Sequence, residues 1–141
     1  MKLLRWALIV VAVVGLGIDA YTHFDLAHLY QYNRTSTVNE AVLFRIEAAS
    51  AIVAAVWLLV QPKLLSILFS IALTGGGAFL LLLYRYVDVG KIGPIPNMHE
   101  PIWTNEKELS LAGELVALVA SLVLLALYVN ERRSAKQPVA A

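Results

Sequence analysis

Four apolar runs, each about twenty residues long, determine what this chain can fold into. They cover residues 3–22, 38–60, 64–86 and 108–129. A helix needs about 20 consecutive apolar residues to cross the hydrocarbon core of a bilayer. Lipid offers no hydrogen bonds to the backbone, so such a run must fold as a helix that satisfies its own amides. The pattern predicts an all-α fold, an integral membrane four-helix bundle with two long loops on its outer face.

The composition agrees with a membrane protein that forms a single domain. Of 141 residues, 60% are hydrophobic and 15% are charged, whereas soluble domains are about 45–50% apolar. The net charge of +1 is too small to indicate nucleic acid as a partner. Cysteine is absent, which excludes a disulfide framework and any cysteine-ligated metal or cluster. The lipid bilayer is therefore the first partner that the sequence predicts.

The amino-terminal run has the character of a signal anchor. Residues 1–5 are basic and a long apolar run follows, as in secretory signals. The stretch Ile18-Asp19-Ala20 lacks the small-x-small pattern of a cleavage site. We therefore favour an uncleaved anchor over a cleaved signal peptide, and its helix could continue to Leu29.

Short polar motifs predict where two later spans begin and where ordered structure ends. Thr37 with Glu40 fits a capping box that would start the second span, and Asn105 with Glu108 fits one that would start the fourth. Residues 130–141 are basic and then rich in alanine and proline, which predicts a disordered cytoplasmic tail.

The basic residues predict an orientation. With four spans, both termini and a tight turn at Pro62 lie on one side of the membrane. That side carries Lys2, Arg5, Lys63, Arg132, Arg133 and Lys136, with Glu131 as its only acid. The other side holds both long connections and most of the acids. The positive-inside rule then predicts a multi-pass protein of the cell membrane with both termini in the cytoplasm.

Three acids, Asp19, Glu47 and Glu114, lie inside the predicted spans. A charge at the centre of a spanning helix costs about 2.5–3.5 kcal/mol, so such residues usually turn inward or find partners. Small residues share their helix faces, and small residues mark helix contacts in membranes. Asp19 shares its face with Ala12 and Gly15, and Glu47 shares its face with Ser50, Ala51 and Ala54. Glu114 shares its face with Ser110, Ala117 and Ser121. The glycines at 75–77 are interpreted in the same way, as a packing notch rather than a gating hinge.

We expect these acids to converge in the outer half of the bundle, with Arg45 and Arg85 neutralising two of them. One negative charge is then left, which a shared proton, His23 or a bound cation could balance. The simpler interpretation is a structural layer of salt bridges that locks the helices together. The alternative is a ligand, ion or proton site, because ionisable residues inside membranes are often functional.

The three histidines fall on the predicted outer side and are candidate metal ligands. His23, His28 and His99, with Glu100, offer the imidazole and carboxylate groups that bind zinc or copper. Asp19 and His23 are four residues apart and can touch on one helix face. The competing interpretation is that His23 only orients Asp19, while His28 and His99 are solvated. The residues do not identify a cofactor, so its identity stays unknown at this point.

The connection at 84–108 is the longest polar stretch between spans. Its turn-forming residues are Gly90, Gly93, Pro94, Pro96 and Pro101, which predict a structured loop. We expect it to lie over the mouth of the bundle and to contact the connection near residues 21–33. Its predicted interface residues are Met98, His99, Glu100 and Trp103. Such a lid could shield a site or dock a membrane-protein partner.

Three runs carry a resemblance to a known family. They are LYRYVDVGKIGPIPNMHEPIWTNEKELS at 83–110, DAYTHFDLAHLY at 19–30 and LFRIEAA at 43–49. Together they resemble a family of small four-span membrane proteins of high-GC Gram-positive bacteria. The resemblance implies a fold and a membrane location, and it brings no activity with it. More loosely, the four-span plan is similar to DoxX-like proteins, some of which are linked to quinone-dependent redox complexes.

Catalytic signatures are lacking: there is no glycine-rich phosphate loop, no H-E-x-x-H motif and no nucleophile elbow. Paired acids can act as general acids and bases, but no substrate is indicated. The leading hypothesis is a non-enzymatic accessory or interaction subunit with a structured polar cap. The rival is a membrane protein that binds a small ligand, metal or quinone through Asp19, His23, Glu47 and Glu114. An enzyme is the third alternative.

Overall fold

The computed structural model describes residues Met1–Gln137, and over that range it consists of four long α-helices. They are α1 (Lys2–Leu29), α2 (Glu40–Val60), α3 (Leu64–Tyr86) and α4 (Asn105–Lys136). Each is long and apolar enough to cross a bilayer. The predicted fold class is confirmed: the chain is an all-α, four-helix bundle, and its helices indicate a multi-pass membrane protein.

The helices form a ring in chain order. α1 packs against α2 and α4, α3 packs against the same two helices, and the α2–α3 packing is the sparsest of the four. One end, here called the terminal end, is tied together by Arg5, which pairs with Glu131 at 3.2 Å and donates to the Pro62 carbonyl at 2.5 Å. The opposite end carries both long connections and is called the loop end.

Helices α1 and α4 approach each other closely at two glycines. A β-carbon on Gly15 would lie 2.6 Å from the Gly113 carbonyl oxygen, and one on Gly113 would lie 2.8 Å from the Gly15 carbonyl oxygen. Alanine fills much of the remaining interior, since small side chains let helices approach closely in a membrane. In the described residues, the fully buried alanines are Ala12, Ala41, Ala48, Ala51, Ala54 and Ala117. This crossing brings together Asp19, one turn beyond Gly15, and Glu114, which follows Gly113.

The connection between α3 and α4, residues 87–104, is here called the cap loop and lies across the loop end. Gly90 and Gly93 adopt positive φ angles of 69° and 54°, which favour glycine. The Glu100 amide donates to the Tyr84 carbonyl at 3.0 Å, and Asn33 donates to the Asn97 carbonyl at 2.9 Å. The expected contact with the α1–α2 connection is therefore present.

The start of the cap loop is held by one carboxylate. Asp88 Oδ1 accepts hydrogen bonds from the Gly90 amide at 3.0 Å and from Asn97 Nδ2 at 2.9 Å. These two donors hold the pKa of the exposed Asp88 carboxyl below its usual value.

The helix ends differ from their predicted positions in three places. The N-cap of α2 is Asn39, which accepts from the Val42 amide at 2.8 Å, so Thr37 is not the cap. The N-cap of α4 is Thr104 rather than Asn105. The prediction of a disordered tail is wrong for residues 130–136, which continue α4. Gln137 is the C-cap of α4, and the remaining residues of that predicted tail, 138–141, lie outside the described residues.

Gly15→Ala tests the α1–α4 crossing, with Gly17→Ala as the matched control. The first substitution adds a methyl group against backbone, and overpacking of this kind costs about 1–3 kcal/mol. The second adds it where no atom lies within 4 Å. We expect thermal unfolding in detergent to show a clear loss of stability for Gly15→Ala and none for Gly17→Ala. Equal behaviour of the two variants would contradict the crossing.

Candidate functional site

Four of the predicted polar residues meet in the loop-end half of the bundle. Asp19, His23, Glu47 and Glu114 are here called the acid–histidine cluster. Asp19 and Glu114 have no exposed surface, and His23 is 4% exposed. His23 Nδ1 lies 2.8 Å from Asp19 Oδ1 on the same face of α1. Ser110 donates to the same Asp19 oxygen at 3.1 Å, so one side of Asp19 is satisfied.

Four other buried carboxylate oxygens of the cluster lack hydrogen-bond donors among the described residues. Within Met1–Gln137 the unpartnered buried oxygens are Asp19 Oδ2, Glu47 Oε1 and both oxygens of Glu114. Leaving a buried polar atom unsatisfied costs about 1–3 kcal/mol, and more when the group is charged. A cluster that served only to hold the helices together would be expected to pair these atoms. The lack of donors for these oxygens therefore favours a site that receives a cation, a proton or a ligand.

Gly77 makes room for two of the carboxylates. A β-carbon on Gly77 would overlap the Glu114 carboxylate and would lie 3.3 Å from Glu47 Oε1. Gly76 has no atom within 4 Å of the corresponding position, and Gly75 has only ordinary contact with Leu118. The predicted glycine notch thus exists at Gly77, but what fills it is carboxylate rather than a neighbouring backbone.

Neither arginine joins the cluster, which corrects the expected charge balance. Arg45 is exposed on the surface of α2. The Arg85 guanidinium stacks on the Trp103 ring, 4.4 Å from its centroid. In the described part of the chain, the only salt bridge that involves Asp19, Glu47 or Glu114 joins Asp19 to His23. Residues at similar depth can thus point to different sides of their helices, and depth alone does not predict pairing.

A pocket with a volume of about 280 Å³ opens beside the cluster. It lies between α2 and α3 beneath the cap loop, and His23 and Glu47 form part of its wall. Its apolar wall residues are Leu43, Phe44, Ile46, Leu80, Leu81, Ile95, Met98 and Trp103. His23 also packs edge-on against the Phe44 ring, with centroids 5.4 Å apart. The cluster and the pocket therefore share two side chains.

A second polar group closes the loop-end side of the pocket. Glu100 of the cap loop accepts a hydrogen bond from the Tyr30 hydroxyl at 2.6 Å and pairs with the buried Lys107. The Lys107 ammonium lies 4.5 Å from the centre of the Tyr30 ring. Burial and the bond to Glu100 raise the pKa of Tyr30 above its usual value, so its hydroxyl stays protonated and donating. These contacts fasten the cap loop to α1 and α4.

The predicted loop residues face the interior more than the solvent. Met98, Glu100 and Trp103 line the pocket, and all three are half-buried. The ring of His99 lies 2.8 Å from the Tyr84 carbonyl and is also half-buried. A docking interface made of these four residues would have to use side chains that already have intramolecular partners.

The three histidines do not form a common metal site. His28 is exposed at the end of α1, His99 bonds to the backbone of α3, and only His23 reaches the cluster. The ligand atoms that do converge belong to Asp19, His23 and Glu114. The structure thus separates His28 and His99 from His23, and it brings His23 together with Asp19 and Glu114, as the alternative binding-site prediction expected.

Two wall residues, Glu40 and Lys107, were missed in the sequence. Glu40 was assigned to a capping box, although it lies on the same face of α2 as Glu47, seven residues earlier. Lys107 falls within the predicted polar connection at 84–108, although it continues the stripe of Ser110 and Glu114 by one turn. Extending each polar stripe to the helix end would have found both.

Fold and site together define a class: a four-helix membrane bundle whose buried acids adjoin a loop-capped pocket. No family model matches the chain, and comparisons with curated proteins and with solved structures found no match.

Glu114→Gln distinguishes a structural layer from a binding site. In the presence of a chelator, the new amide can donate to Asp19 Oδ2 without taking up the proton that a buried carboxyl needs to become neutral. We therefore expect the unfolding temperature in detergent to rise, by the equivalent of about 1–3 kcal/mol. Glu108→Gln, at an exposed position of the same helix, should have little effect. A clear loss of stability in Glu114→Gln would instead support an ionic layer that locks the helices.

Proposed function

We propose that the protein is a non-enzymatic binding protein that takes up a small amphiphilic molecule in the pocket between α2, α3 and the cap loop. One observation carries the proposal: Glu47 Oε1 is buried at the wall of this pocket and lacks a hydrogen-bond donor within Met1–Gln137. A ligand that places a hydroxyl or an amine there would satisfy this oxygen. Largely apolar pockets with a few convergent polar groups are the usual form of small-molecule sites.

The pocket extends to the outer surface of the bundle. Ile46 and Leu80 line it, yet 58% and 48% of their surfaces are exposed. They lie on α2 and α3, the two neighbouring helices that pack most sparsely. A molecule dissolved in the bilayer could therefore enter sideways between these helices, without crossing the cap loop.

The charges of the wall narrow the ligand class. Three acids, Glu40, Glu47 and Glu100, face two basic side chains, His23 and Lys107. Lys107 is already paired with Glu100. An anionic head group such as a phosphate or a fatty-acid carboxylate would meet net repulsion. A neutral or cationic head group that donates hydrogen bonds fits better, and quinols, alcohols and amines have this character.

We further propose that the pocket belongs to the outer leaflet of the cell membrane. The terminal end carries Lys2, Arg5, Lys63, Arg132, Arg133 and Lys136, which supports cytoplasmic termini under the positive-inside rule. The loop end, with the cap loop and the pocket, would then face outward.

Docking of a membrane-protein partner on the loop end is the second candidate. Tyr32 is 94% exposed and Ile102 is 82% exposed, and both lie in loop-end connections. Exposed aromatic and aliphatic side chains of this kind are enriched at protein interfaces. An accessory role would use these side chains rather than Met98 and Trp103.

Leu81→Trp tests the proposed pocket, with Leu82→Trp as the matched control. Leu81 lines the pocket, whereas Leu82 is exposed on the surface of α3. The protein would be purified in nanodiscs from its own membranes and extracted with organic solvent, and the extract quantified by mass spectrometry. We expect one neutral or cationic amphiphile to be enriched with the wild type and with Leu82→Trp, and to be lost from Leu81→Trp.

Two results would contradict the proposal. The first is an extract of the wild type that matches the bulk lipid of empty nanodiscs. The second is an enriched molecule that Leu81→Trp retains. Retention in Leu81→Trp together with loss in an Ile102→Ser variant would instead favour a partner or ligand on the loop-end surface.

A further inference from the structure

We propose that Asp19, His23 and Glu114 bind a divalent transition-metal cation inside the bundle. One ligand atom from each of these residues lies within 4.8 Å of the others. Imidazole nitrogen and carboxylate oxygen are the donors that zinc and related divalent ions take in proteins without cysteine. A cation at the centre of this triangle would be within reach of all three after small side-chain movements.

The unpartnered oxygens point to a ligand independently of the residue types. Asp19 and Glu114 are fully buried, and Asp19 Oδ2 and both Glu114 oxygens have no hydrogen-bond partner within Met1–Gln137. A single proton shared by the two carboxyls would satisfy Asp19 Oδ2 and one oxygen of Glu114, and would leave the second Glu114 oxygen unsatisfied. A cation bound by Asp19 Oδ2 and by both Glu114 oxygens would satisfy all three.

The charge of the site also matches a divalent ion. Two carboxylates and a neutral imidazole around a cation of charge +2 form a neutral unit, which a medium of low dielectric constant favours. Neither lysine nor arginine forms a salt bridge with Asp19 or Glu114 in the described residues. His23 is the basic side chain beside Asp19, and when it acts as a neutral ligand a divalent cation supplies the positive charge that the two carboxylates need.

Supporting contacts hold the ligands in place, as metal sites require. Ser110 Oγ lies 3.1 Å from Asp19 Oδ1 and 3.3 Å from His23 Nδ1, so it can orient both side chains. Gly77 provides the space in which the Glu114 carboxylate lies. His23 and Glu47 reach the pocket wall, which gives the cation a path from the loop end.

The test is zinc binding by the untagged, full-length protein in detergent after treatment with EDTA and removal of the chelator. Equilibrium dialysis against ZnCl₂ with elemental analysis would give the stoichiometry, and calorimetry would give the affinity. We expect one zinc ion per chain. Zinc is a stringent probe, because sites of nitrogen and oxygen donors bind it more tightly than manganese or iron. Less than a tenth of an equivalent bound would overturn the proposal.

Variants distinguish the buried site from zinc held at the surface. Glu114→Gln and Asp19→Asn should each lower the affinity for zinc at least about tenfold. Mutation of residues that only support a metal site already lowers metal affinity by about this factor, and a ligand should matter at least as much. Glu108→Gln, His28→Asn and His99→Asn should leave it unchanged. Cobalt in place of zinc should give visible absorption bands in the wild type and lose them in Glu114→Gln. Zinc binding that depends on His28 or His99 but not on Glu114 would overturn the proposal.

The proposal is independent of the amphiphile. Leu81 lines the pocket and is not one of the three proposed ligands, so Leu81→Trp should lose the amphiphile and keep the zinc ion. Glu114→Gln should lose the zinc ion and keep the amphiphile, since Glu114 is absent from the pocket wall. The loss of the amphiphile and the loss of zinc are measured separately. A wild-type protein that binds no zinc contradicts the metal site alone, and one that enriches no amphiphile contradicts the proposed pocket ligand alone.

Discussion

The contact between α1 and α4 at Gly15 and Gly113 is the constraint on which the rest of the structure depends. Because neither residue has a side chain, the two backbones meet and Asp19 and Glu114 are brought face to face. Two acids in this position cannot turn outward into lipid, where a charge costs about 2.5–3.5 kcal/mol. They also find no arginine between them. The same close packing that stabilises the bundle therefore creates a site that needs a proton, a cation or a ligand.

The loop end converts this buried cluster into an accessible site. Glu100 joins the cap loop to Tyr30 and Lys107, and Arg85 holds the Trp103 ring from the other side. These contacts keep the loop above a pocket instead of letting it collapse onto the helices. Polar connections in membrane proteins often position function on a rigid bundle, and here the rigid part already supplies the acids.

The sequence predicted the four spans and the inward position of the acids, because hydropathy and small-residue stripes report lipid and helix contacts directly. It did not predict which charges pair. Arg45 and Arg85 lie at the depth of the buried acids, but whether they pair with them depends on how each helix is rotated about its axis. Tertiary packing sets that rotation. The helix caps were wrong by one or two residues for a related reason, because Asn39 and Thr104 are as good caps as the residues chosen. The pocket itself had no signal, because a gap between α2 and α3 leaves no pattern along either helix.

An experimental structure of the protein extracted with its native lipids into nanodiscs would test the central claim most directly. The account predicts elongated density that starts at Glu47, passes between Ile46 and Leu80 and continues into the lipid, with Trp103 over its inner end. A cap loop packed directly on α2 and α3, with no space beside Glu47 and with Asp19 and Glu114 paired to arginine, would contradict it. In that case the buried acids would be a structural layer after all.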